Sequence, residues 1–299
     1  MAKTLDILVL GASGMLGSAV RRVLESHAGW NVAGTQNEYP NAPDYLDVLE
    51  MPPERWLARH YDYIVNCIGI LKPAVKEDDS ASLTRAIRIN SLFPHAIAEC
   101  ARQSHIIHLS TDGVFAGTAS AGTMDRPYLE SDIPDGSDAY ARTKALGECP
   151  ALNVVNIRCS IIGRDAQFGK GLVEWVLRSR EGEELAGYED HLWNGVTTRQ
   201  FGELCQGLIE SEEFERIRHV SGIHHFCPNP AITKYDLLCA IRDAAGRNIV
   251  IRRSQSGTPT KRILGTIYSQ LRALYPSPYP RGTRTWDSII KDALAQTTH

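Results

Sequence analysis

The sequence predicts an α/β fold in which a doubly wound parallel sheet is joined to a smaller C-terminal α/β lobe. Short apolar runs alternate with segments of helical periodicity as far as residue 163. A glycine-rich turn follows the first run, as is typical where a buried strand passes into a helix. Beyond residue 163 glycines become frequent and the alternation loosens, which indicates that a second lobe begins there.

The first strand is predicted at residues 5–10, LDILVL, because an uninterrupted apolar run is typical of a strand covered on both faces. The next segment has the apolar spacing of one helical face, at Leu16, Val20, Val23 and Leu24. The same reasoning predicts strands at 31–36, 61–69, 105–110 and 153–163. Helices are predicted between them at 81–104 and 137–149, the second with Ser137 or Asp138 as its cap.

The C-terminal part is predicted to contain fewer regular elements. Helices are expected at 172–180, 197–211, 233–246 and 285–296, and a short strand at 222–226. Prolines require the stretch 275–282 to be extended. We therefore assign residues 1–162 to a cofactor-binding sheet domain, to which 196–224 returns, and residues 163–195 and 225–299 to a smaller substrate-binding lobe.

Composition and charge exclude several classes of protein. The 32 basic and 35 acidic residues leave a net charge of -3, so no positive surplus is available to hold a nucleic-acid backbone. The seven cysteines are odd in number and form no CxxC pair, which argues against a disulfide framework or a zinc site and favours a reducing cytoplasm. No apolar stretch approaches the ~20 residues of a membrane span, so a soluble protein without membrane contact is expected.

The motif GASGMLG places Gly11, Gly14 and Gly17 between the first strand and its helix. Backbone N–H groups and the helix dipole then face whatever lies at the turn, which suits a pyrophosphate. The cofactor contacts predicted in this turn are Gly11, Ser13, Gly14, Met15, Leu16 and Gly17. The alternative is that the glycines serve only a tight turn and close helix packing.

The motif YARTK sets Tyr140 and Lys144 one helical turn apart, on one face of a helix. A fixed ammonium near a phenol favours the phenolate and brings its pKa closer to the working range of an acid–base catalyst. The alternative is a solvated helix face. About thirty residues earlier, STDGVFAG ends a predicted strand with hydroxyl groups at Ser110 and Thr111.

These motifs, with YLDV, VNCIG and IRCSIIG, stand in the order and approximate spacing of the extended short-chain dehydrogenases/reductases. The chain resembles in particular the nucleotide-sugar 4-keto reductases of the dTDP-4-dehydrorhamnose reductase type. This resemblance implies a Rossmann fold, with Tyr140 as proton donor to a carbonyl oxygen and Lys144 holding the nicotinamide ribose and tuning the tyrosine. Thr111 would hydrogen-bond the same carbonyl, with Ser110 beneath it; a purely structural turn is the alternative.

The resemblance also implies further cofactor contacts. Asp47, beside Val48, matches a carboxylate that accepts from the adenine amino group, and a surface carboxylate is the alternative. Asn90 matches an asparagine that supports the active-site strands, and the alternative is that it is an ordinary polar residue of the helix. The strand end that follows Asn66 would form the middle wall of the cofactor site through Cys67, Ile68 and Gly69.

Candidate substrate contacts lie in two stretches. They are Thr111, Asp112, Gly113, Val114 and Phe115 in the first, and Trp193 and Asn194 in the second. Gly113 is a departure, because the reductases that this chain resembles usually carry an aromatic residue there. The alternative for Trp193 and Tyr188 is a place in the core of the small lobe. An arginine of the basic segment 251–262 could reach a diphosphate, and a solvated tail is its alternative.

The cofactor is predicted to be NADP(H) in preference to NAD(H). GTQNEYP carries no acid at the tip of the second strand, where NAD-specific proteins bind the ribose hydroxyls, and neither Arg21 nor Arg22 can be assigned to a 2'-phosphate. His224 and His225 lack a third ligand at metal spacing, so no metal site is predicted.

The function expected is NADPH-dependent reduction of the 4-keto group of a nucleotide-linked 6-deoxysugar in a bacterial glycan pathway. A homodimer is compatible with it. Two alternatives stay open: an epimerase or dehydratase on the same fold, and a non-catalytic NADP-binding regulatory subunit, which the glycine at position 113 favours.

Overall fold

The computed structural model describes residues 4–52, 55–57, 59–118, 126–165, 169, 171–275 and 285–295. Its strands are β1 Leu5–Leu10, β2 Trp30–Gly34, β3 Tyr63–Asn66, β4 His105–Leu109, β5 Val154–Arg158, β6 Ile161–Ile162, β7 Glu184–Tyr188, β8 His191–Trp193, β9 Val196–Thr197, β10 Ile223–His225, β11 Ile232–Thr233, β12 Val250–Ser254 and β13 Thr260–Arg262. Its helices are α1 Met15–Glu25, α2 Ser80–Ala86, α3 Phe93–Cys100, α4 Ala139–Leu146, α5 Leu172–Arg178, α6 Thr198–Glu210, α7 Phe214–Val220, α8 Lys234–Ala245, α9 Gln270–Leu274 and α10 Trp286–Ala295.

The central sheet has six strands in the order β2-β1-β3-β4-β5-β10, and every neighbouring pair is parallel. In β1, Ile7 is in register with Val32 of β2 on one side and with Tyr63 of β3 on the other. All residues of β3 and β5 are buried, as expected of strands with helices over both faces. The predicted α/β class with a doubly wound parallel sheet is confirmed.

Helices cover both faces of this sheet. On one face, Val20 of α1 and Leu204 of α6 pack into a core with Ile7 and Val155 of the sheet. On the other face, Ile97 of α3 packs with Ile64 and other side chains from the same strands. The carboxyl ends of all six strands therefore meet at one open edge, where ligands of parallel sheets bind.

The helix predicted at 81–104 is divided into three parts. Between α2 and α3, residues Ile87–Leu92 form a wider π-helical segment, which includes Asn90. Pro94 follows at the start of α3, and a proline has no N–H to donate to the carbonyl four residues earlier. That carbonyl belongs to Asn90, so the helix widens at a buried polar residue.

The C-terminal part is built from smaller sheets. Strand β8 pairs with β13 in parallel and with β11 in antiparallel orientation, while β7 pairs with β12. Their core contains Leu238 of α8 and Ile290 of α10. The basic segment 251–262 lies mostly in β12 and β13, so it is not a solvated tail.

We propose that the chain consists of two packing units that meet at residue 162, as the sequence indicated, except that α9 is assigned to the first unit. Helix α6 and strand β10 belong to the central sheet and its covering layer. Leu271 of α9 also packs there, although the sequence placed it in the small lobe. Most of the stretch 275–282, predicted to be extended, lies outside the described residues.

Candidate active site

Three glycines shape the turn between β1 and α1. Gly11 has a φ of +74°, which favours glycine, and a Cβ at Gly17 would lie 2.1 Å from the Gly11 carbonyl oxygen. At Gly14, which begins α1, a Cβ would meet only that same carbonyl oxygen, at 3.4 Å. Helix α1 has neither a side-chain cap nor an acid in its first turn. The turn is therefore suited to an anion such as a pyrophosphate, and the contact of Gly14 with it stays a prediction.

The end of β2 lies against this turn. Thr35 Oγ1 accepts a hydrogen bond of 3.0 Å from the N–H of Gly11. A Cβ at Gly34 would lie 3.3 Å from Nη1 of Arg21, so this guanidinium covers the strand end although it starts on α1. The sequence did not assign Arg21, because its position along the helix gives no sign of how the side chain crosses to β2.

Asp47 reaches the same edge through an irregular loop. The loop pairs with β2's continuation, because Gln36 N–H donates to the carbonyl of Asp44 at 3.0 Å and Leu46 N–H donates to the carbonyl of Gln36 at 2.8 Å. The Asp47 carboxylate accepts from the N–H of Leu49 at 2.8 Å. The loop thus places Asp47 beside the end of β2, and its contact with adenine stays a prediction.

The loop after β3 forms a wall next to the glycine turn. Asn66 Oδ1 accepts from the N–H of Ile68 at 3.1 Å, and the side chain of Ile68 lies 3.0 Å from where a Gly11 Cβ would be. Asn90 binds both backbone groups of Ile70, its Oδ1 accepting at 2.8 Å and its Nδ2 donating at 3.2 Å. Asn90 also donates to the Thr143 hydroxyl at 3.3 Å, so its amide joins this wall to α4.

Thr111 and Tyr140 meet at Gly113. The Thr111 hydroxyl, just beyond the end of β4, is buried and accepts from the N–H of Gly113 at 3.0 Å. A Cβ at Gly113 would lie 3.1 Å from Cε1 of Tyr140 and 3.2 Å from the Thr111 hydroxyl. Since φ at Gly113 is ordinary, its backbone does not require glycine. The missing side chain leaves space beside the tyrosine ring.

Lys144 bridges the ends of β4 and β3. Its Nζ donates to the carbonyl of Leu109 at 2.8 Å and lies 3.9 Å from where a Cβ of Gly69 would be. Helix α4 begins at Asp138, whose carboxylate accepts from the N–H of Ala141, so the helix start that carries Tyr140 is fixed. The ammonium thus lies between the predicted wall of the cofactor site and the strand that carries Thr111.

The pKa values of these two groups differ from the expectation. Burial raises the pKa of Tyr140 to about 12, although a hydrogen bond with Thr111 opposes the rise. Burial also lowers the pKa of Lys144 to about 8. The prediction that the ammonium would bring the phenol's pKa down is wrong for the cofactor-free chain, because the loss of water around the phenol outweighs charge attraction. The phenol is protonated at neutral pH, as a proton donor must be.

Two of the predicted substrate contacts, Val114 and Phe115, lie in the core. Val114 and Phe115 are fully covered, and Phe115 is stacked on Tyr128 with ring centroids 4.3 Å apart. Burial raises the pKa of Asp112, against the opposing charge of Arg262. The side chains of Val114 and Phe115 therefore do not reach a ligand, and the prediction for them is corrected.

The second predicted stretch is structural as well. Trp193 packs on Trp286 with ring centroids 5.2 Å apart, which agrees with the core alternative. Asn194 uses both ends of its amide on Leu264, donating to the carbonyl at 2.8 Å and accepting from the N–H at 2.9 Å. These contacts tie the turn after β8 to the chain beyond β13, so the proposed substrate contact of Asn194 is withdrawn.

Two cations of the C-terminal part are candidates for the substrate: Arg262, from the basic segment that the sequence offered for a diphosphate, and Lys234, which the sequence did not single out. Arg262 donates from Nε to the carbonyl of Phe115 at 2.9 Å, and its charge lowers the pKa of Tyr140. Lys234 Nζ lies 5.9 Å from the ring centre of Trp175 and 5.1 Å from that of Tyr188. The aromatic residue Tyr188 could have suggested the second, but only tertiary packing brings these three side chains together.

No group of three histidine, cysteine or acidic side chains suited to a metal ion occurs among the described residues. His224 is engaged by backbone carbonyls, its Nε2 lying 3.1 Å from that of Ile217. Within the same residues, no helix combines the length and the apolar character needed to span a membrane.

Comparison with known proteins gives matches over most of the chain. Residues 5–291 match the family described as RmlD substrate binding domain. A methionine adenosyltransferase 2 subunit beta from Danio rerio is 28% identical over 252 residues, which cover 80% of this chain and 73% of that protein. A dTDP-4-dehydrorhamnose reductase from Aggregatibacter actinomycetemcomitans is 28% identical over 258 residues, covering 80% and 79%.

Solved structures share the fold. A dTDP-4-dehydrorhamnose reductase from Bacillus anthracis, in complex with NADP, superposes with a TM-score of 0.72 at 17% identity. The match covers 98% of this chain and all of that one. The likeness extends beyond the sheet to the smaller C-terminal part.

Proposed function

The chain belongs to the family of the RmlD substrate binding domain, an extended short-chain dehydrogenase/reductase family, and we propose that it is an NADPH-dependent nucleotide-sugar reductase. The reaction proposed is reduction of the 4-keto group of a nucleotide-diphospho-6-deoxysugar, in the synthesis of sugars for bacterial surface polysaccharides. The observation that carries the proposal is the meeting of the Thr111 hydroxyl and the Tyr140 ring at Gly113, with the Lys144 ammonium one helical turn away.

In this reaction Tyr140 is the proton donor. Tyr140 would give its phenolic proton to the carbonyl oxygen, and a nicotinamide cofactor held at the glycine turn would supply the hydride for the carbonyl carbon, so that the ketone becomes an alcohol. Thr111 donates a hydrogen bond to the same oxygen and holds it near the ring. Because burial raises the pKa of Tyr140 to about 12, the phenol carries its proton at neutral pH. The ammonium of Lys144 stabilises the phenolate that remains.

The cofactor contacts proposed are the glycine turn for the pyrophosphate, Lys144 for the nicotinamide ribose and Asp47 for adenine. Preference for NADP(H) is supported by Arg21, whose guanidinium covers the end of β2. No acid stands at Thr35 or Gln36 to repel a 2'-phosphate. An arginine is suited to such a phosphate because it offers several donors in one plane.

The nucleotide end of the substrate is proposed to lie along the C-terminal part. Arg262 is held by the carbonyl of Phe115 near Tyr140, where a diphosphate attached to the sugar would pass. Lys234, between Trp175 and Tyr188, offers a cation and aromatic faces farther from the sheet. These residues replace Trp193 and Asn194 as the substrate contacts that we propose for this lobe.

The experiment that tests the proposal is a panel of nucleotide 4-ketosugars offered with NADPH and with NADH, with oxidation of the nicotinamide followed by its absorbance. We expect turnover with at least one 4-keto-6-deoxysugar and a higher kcat/KM with NADPH. A matched nucleotide sugar with a 4-hydroxyl should give no oxidation of NADPH. Binding of NADPH without reduction of any ketosugar would contradict the proposal.

A second candidate function is a regulatory subunit that binds NADP without turnover. It is favoured by the relatives named methionine adenosyltransferase 2 subunit beta, which match this chain at 26–28% identity, as well as the reductase relative does. It also agrees with the glycine at position 113. Stable association of the purified chain with a methionine adenosyltransferase, with no ketosugar reduction, would select this function.

A further inference from the structure

A buried ion pair lies directly beneath the catalytic strand end. Arg158 of β5 binds Glu148 through two hydrogen bonds, Nε to Oε1 at 2.6 Å and Nη2 to Oε2 at 2.7 Å. The two side chains are 2% and 5% exposed. A bidentate pair of this kind has one geometry, so it holds the elements that carry it in fixed relation.

The pair holds both ends of the stretch that contains Thr111. Ser110 donates from its hydroxyl to Glu148 Oε1 at 2.7 Å. At the other end, the ring of Phe115 lies 5.2 Å from the guanidinium carbon of Arg158. The stretch is thus fixed by the carboxylate before Thr111 and by the guanidinium after it.

Glu148 also follows Lys144 by one helical turn. The groups around the Lys144 ammonium are the Glu148 carboxylate just beyond the end of α4, His108 and the Leu109 carbonyl of β4, Cys159 after β5, and the uncharged Gly69 after β3. Of these, Glu148 is the carboxylate whose charge raises the pKa of Lys144 against the effect of burial. His108 stays neutral, because burial and nearby positive charge lower its pKa well below the usual value.

We propose that Glu148, locked by Arg158, is a positioning residue of the reaction that keeps Lys144 in its ammonium form and holds Ser110 beneath Thr111. This inference rests on the proposed function for its catalytic meaning, but the charge effect on Lys144 exists without substrate or cofactor. A purely structural pair would stabilise the fold without changing how Lys144 titrates.

The test is an NMR titration of cofactor-free protein labelled with ¹³C at the lysine ε carbons, with Lys144→Met used to assign the signal. Two variants remove the carboxylate charge, Glu148→Gln alone and Glu148→Gln with Arg158→Met. The double variant avoids leaving an unpaired guanidinium in the core. We expect the pKa of Lys144 to fall by roughly one unit in either variant, as an opposite charge nearby normally shifts a group by one unit or more.

A control is offered by a second ion pair with a buried carboxylate. Glu174 is 4% exposed and accepts from Arg164 Nε at 2.7 Å, in α5 and the loop before it. Glu174→Gln with Arg164→Met removes a similar pair elsewhere and should leave the titration of Lys144 unchanged. In the active enzyme, the alkaline limb of kcat/KM should move down by the same amount as the pKa in the Glu148 variants only.

An unchanged pKa of Lys144 in a folded Glu148 variant would overturn the proposal. So would failure of both Glu148 variants to fold while the control pair folds, since the pair would then serve stability alone. A shift of the pKa in a protein that reduces no ketosugar would instead support the electrostatic role and reject the proposed reductase function.

Discussion

The end of β4 and the turn after β8 both carry polar residues beside a glycine, but they use them differently. At β4, the hydroxyl of Thr111 faces the ring of Tyr140 across the space at Gly113. After β8, the amide of Asn194 is fully engaged by the backbone of Leu264. The comparison teaches that a polar residue near a glycine becomes a site candidate only when the backbone does not use all of its hydrogen-bonding groups: the Thr111 hydroxyl accepts from one backbone N–H, whereas the Asn194 amide is engaged at both ends.

A related contrast concerns charge. The β4 edge contains Lys144, whose pKa burial lowers to about 8, and Tyr140, whose pKa burial raises to about 12. Two groups displaced in this way near one space are typical of acid–base sites. The turn after β8 holds no comparable pair among the residues that the structure describes. Variants of the first region should therefore change catalysis, and variants of the second should change stability.

The largest effect is expected for Tyr140→Phe. Losing the hydroxyl removes the proton donor while keeping the ring, so kcat should fall by ~10²–10⁴ with little change in NADPH affinity. Steady-state kinetics and a cofactor titration measure the two. Tyr128→Phe is the matched control, because it also loses a buried hydroxyl, one that accepts from the N–H of Gly117, and should keep kcat. Equal losses in both variants would remove the distinction between catalytic and structural tyrosines.

The pH dependence is expected to be the next largest effect. Burial lowers the pKa of Lys144 to about 8, so its ammonium is lost as pH rises through that value, while Tyr140 keeps its proton up to a pKa of about 12. kcat/KM should therefore be level below pH 8 and fall about tenfold per pH unit above it. The Lys144→Met variant should have a low kcat/KM at every pH, without the fall above pH 8. A limb near pH 10 would mean that Lys144 is not the group that titrates.

A smaller effect, on stability, is expected for Asn194→Ala. It leaves the N–H and carbonyl of Leu264 unpaired in a buried place, which should lower the free energy of unfolding by roughly 1–3 kcal/mol. Urea denaturation measures this, and the Kd for NADPH should not change. Unaltered stability with a raised KM for the ketosugar would return Asn194 to the substrate site and break the contrast between the two regions.

The smallest effect is expected for Arg21→Ala. The guanidinium is half exposed and also bound to Glu25, so its loss should weaken NADPH binding by only about 0.5–1 kcal/mol, with NADH binding unchanged. Arg22→Ala, the neighbouring arginine, serves as the control. If both variants lose affinity for both cofactors equally, the guanidinium of Arg21 does not bind the 2'-phosphate.

Much of the central fold could be predicted from local pattern. The strand at Leu5–Leu10 was placed to the residue, because an apolar run before a glycine turn has few other structures available to it. The helices expected at 197–211 and 233–246 are also present, and the threonine that opens each range, Thr197 and Thr233, caps its helix by accepting from a free N–H group. The π-helical segment at Ile87–Leu92 was not, because its widening depends on packing against α4 as well as on Pro94.

By itself, the sequence determined the parallel sheet, the glycine turn and the pairing of Tyr140 with Lys144, since each depends on residues close together in the chain. The tertiary structure decided which polar groups remain available. In the folded chain Glu148 contacts Arg158 and Ser110, and the amide of Asn194 is used by hydrogen bonds to Leu264. The side chain of Arg21 lies against the end of β2. The reason is physical: hydrogen-bond partners and the loss of water on burial are set by neighbours distant in sequence, and these decide both pKa values and access.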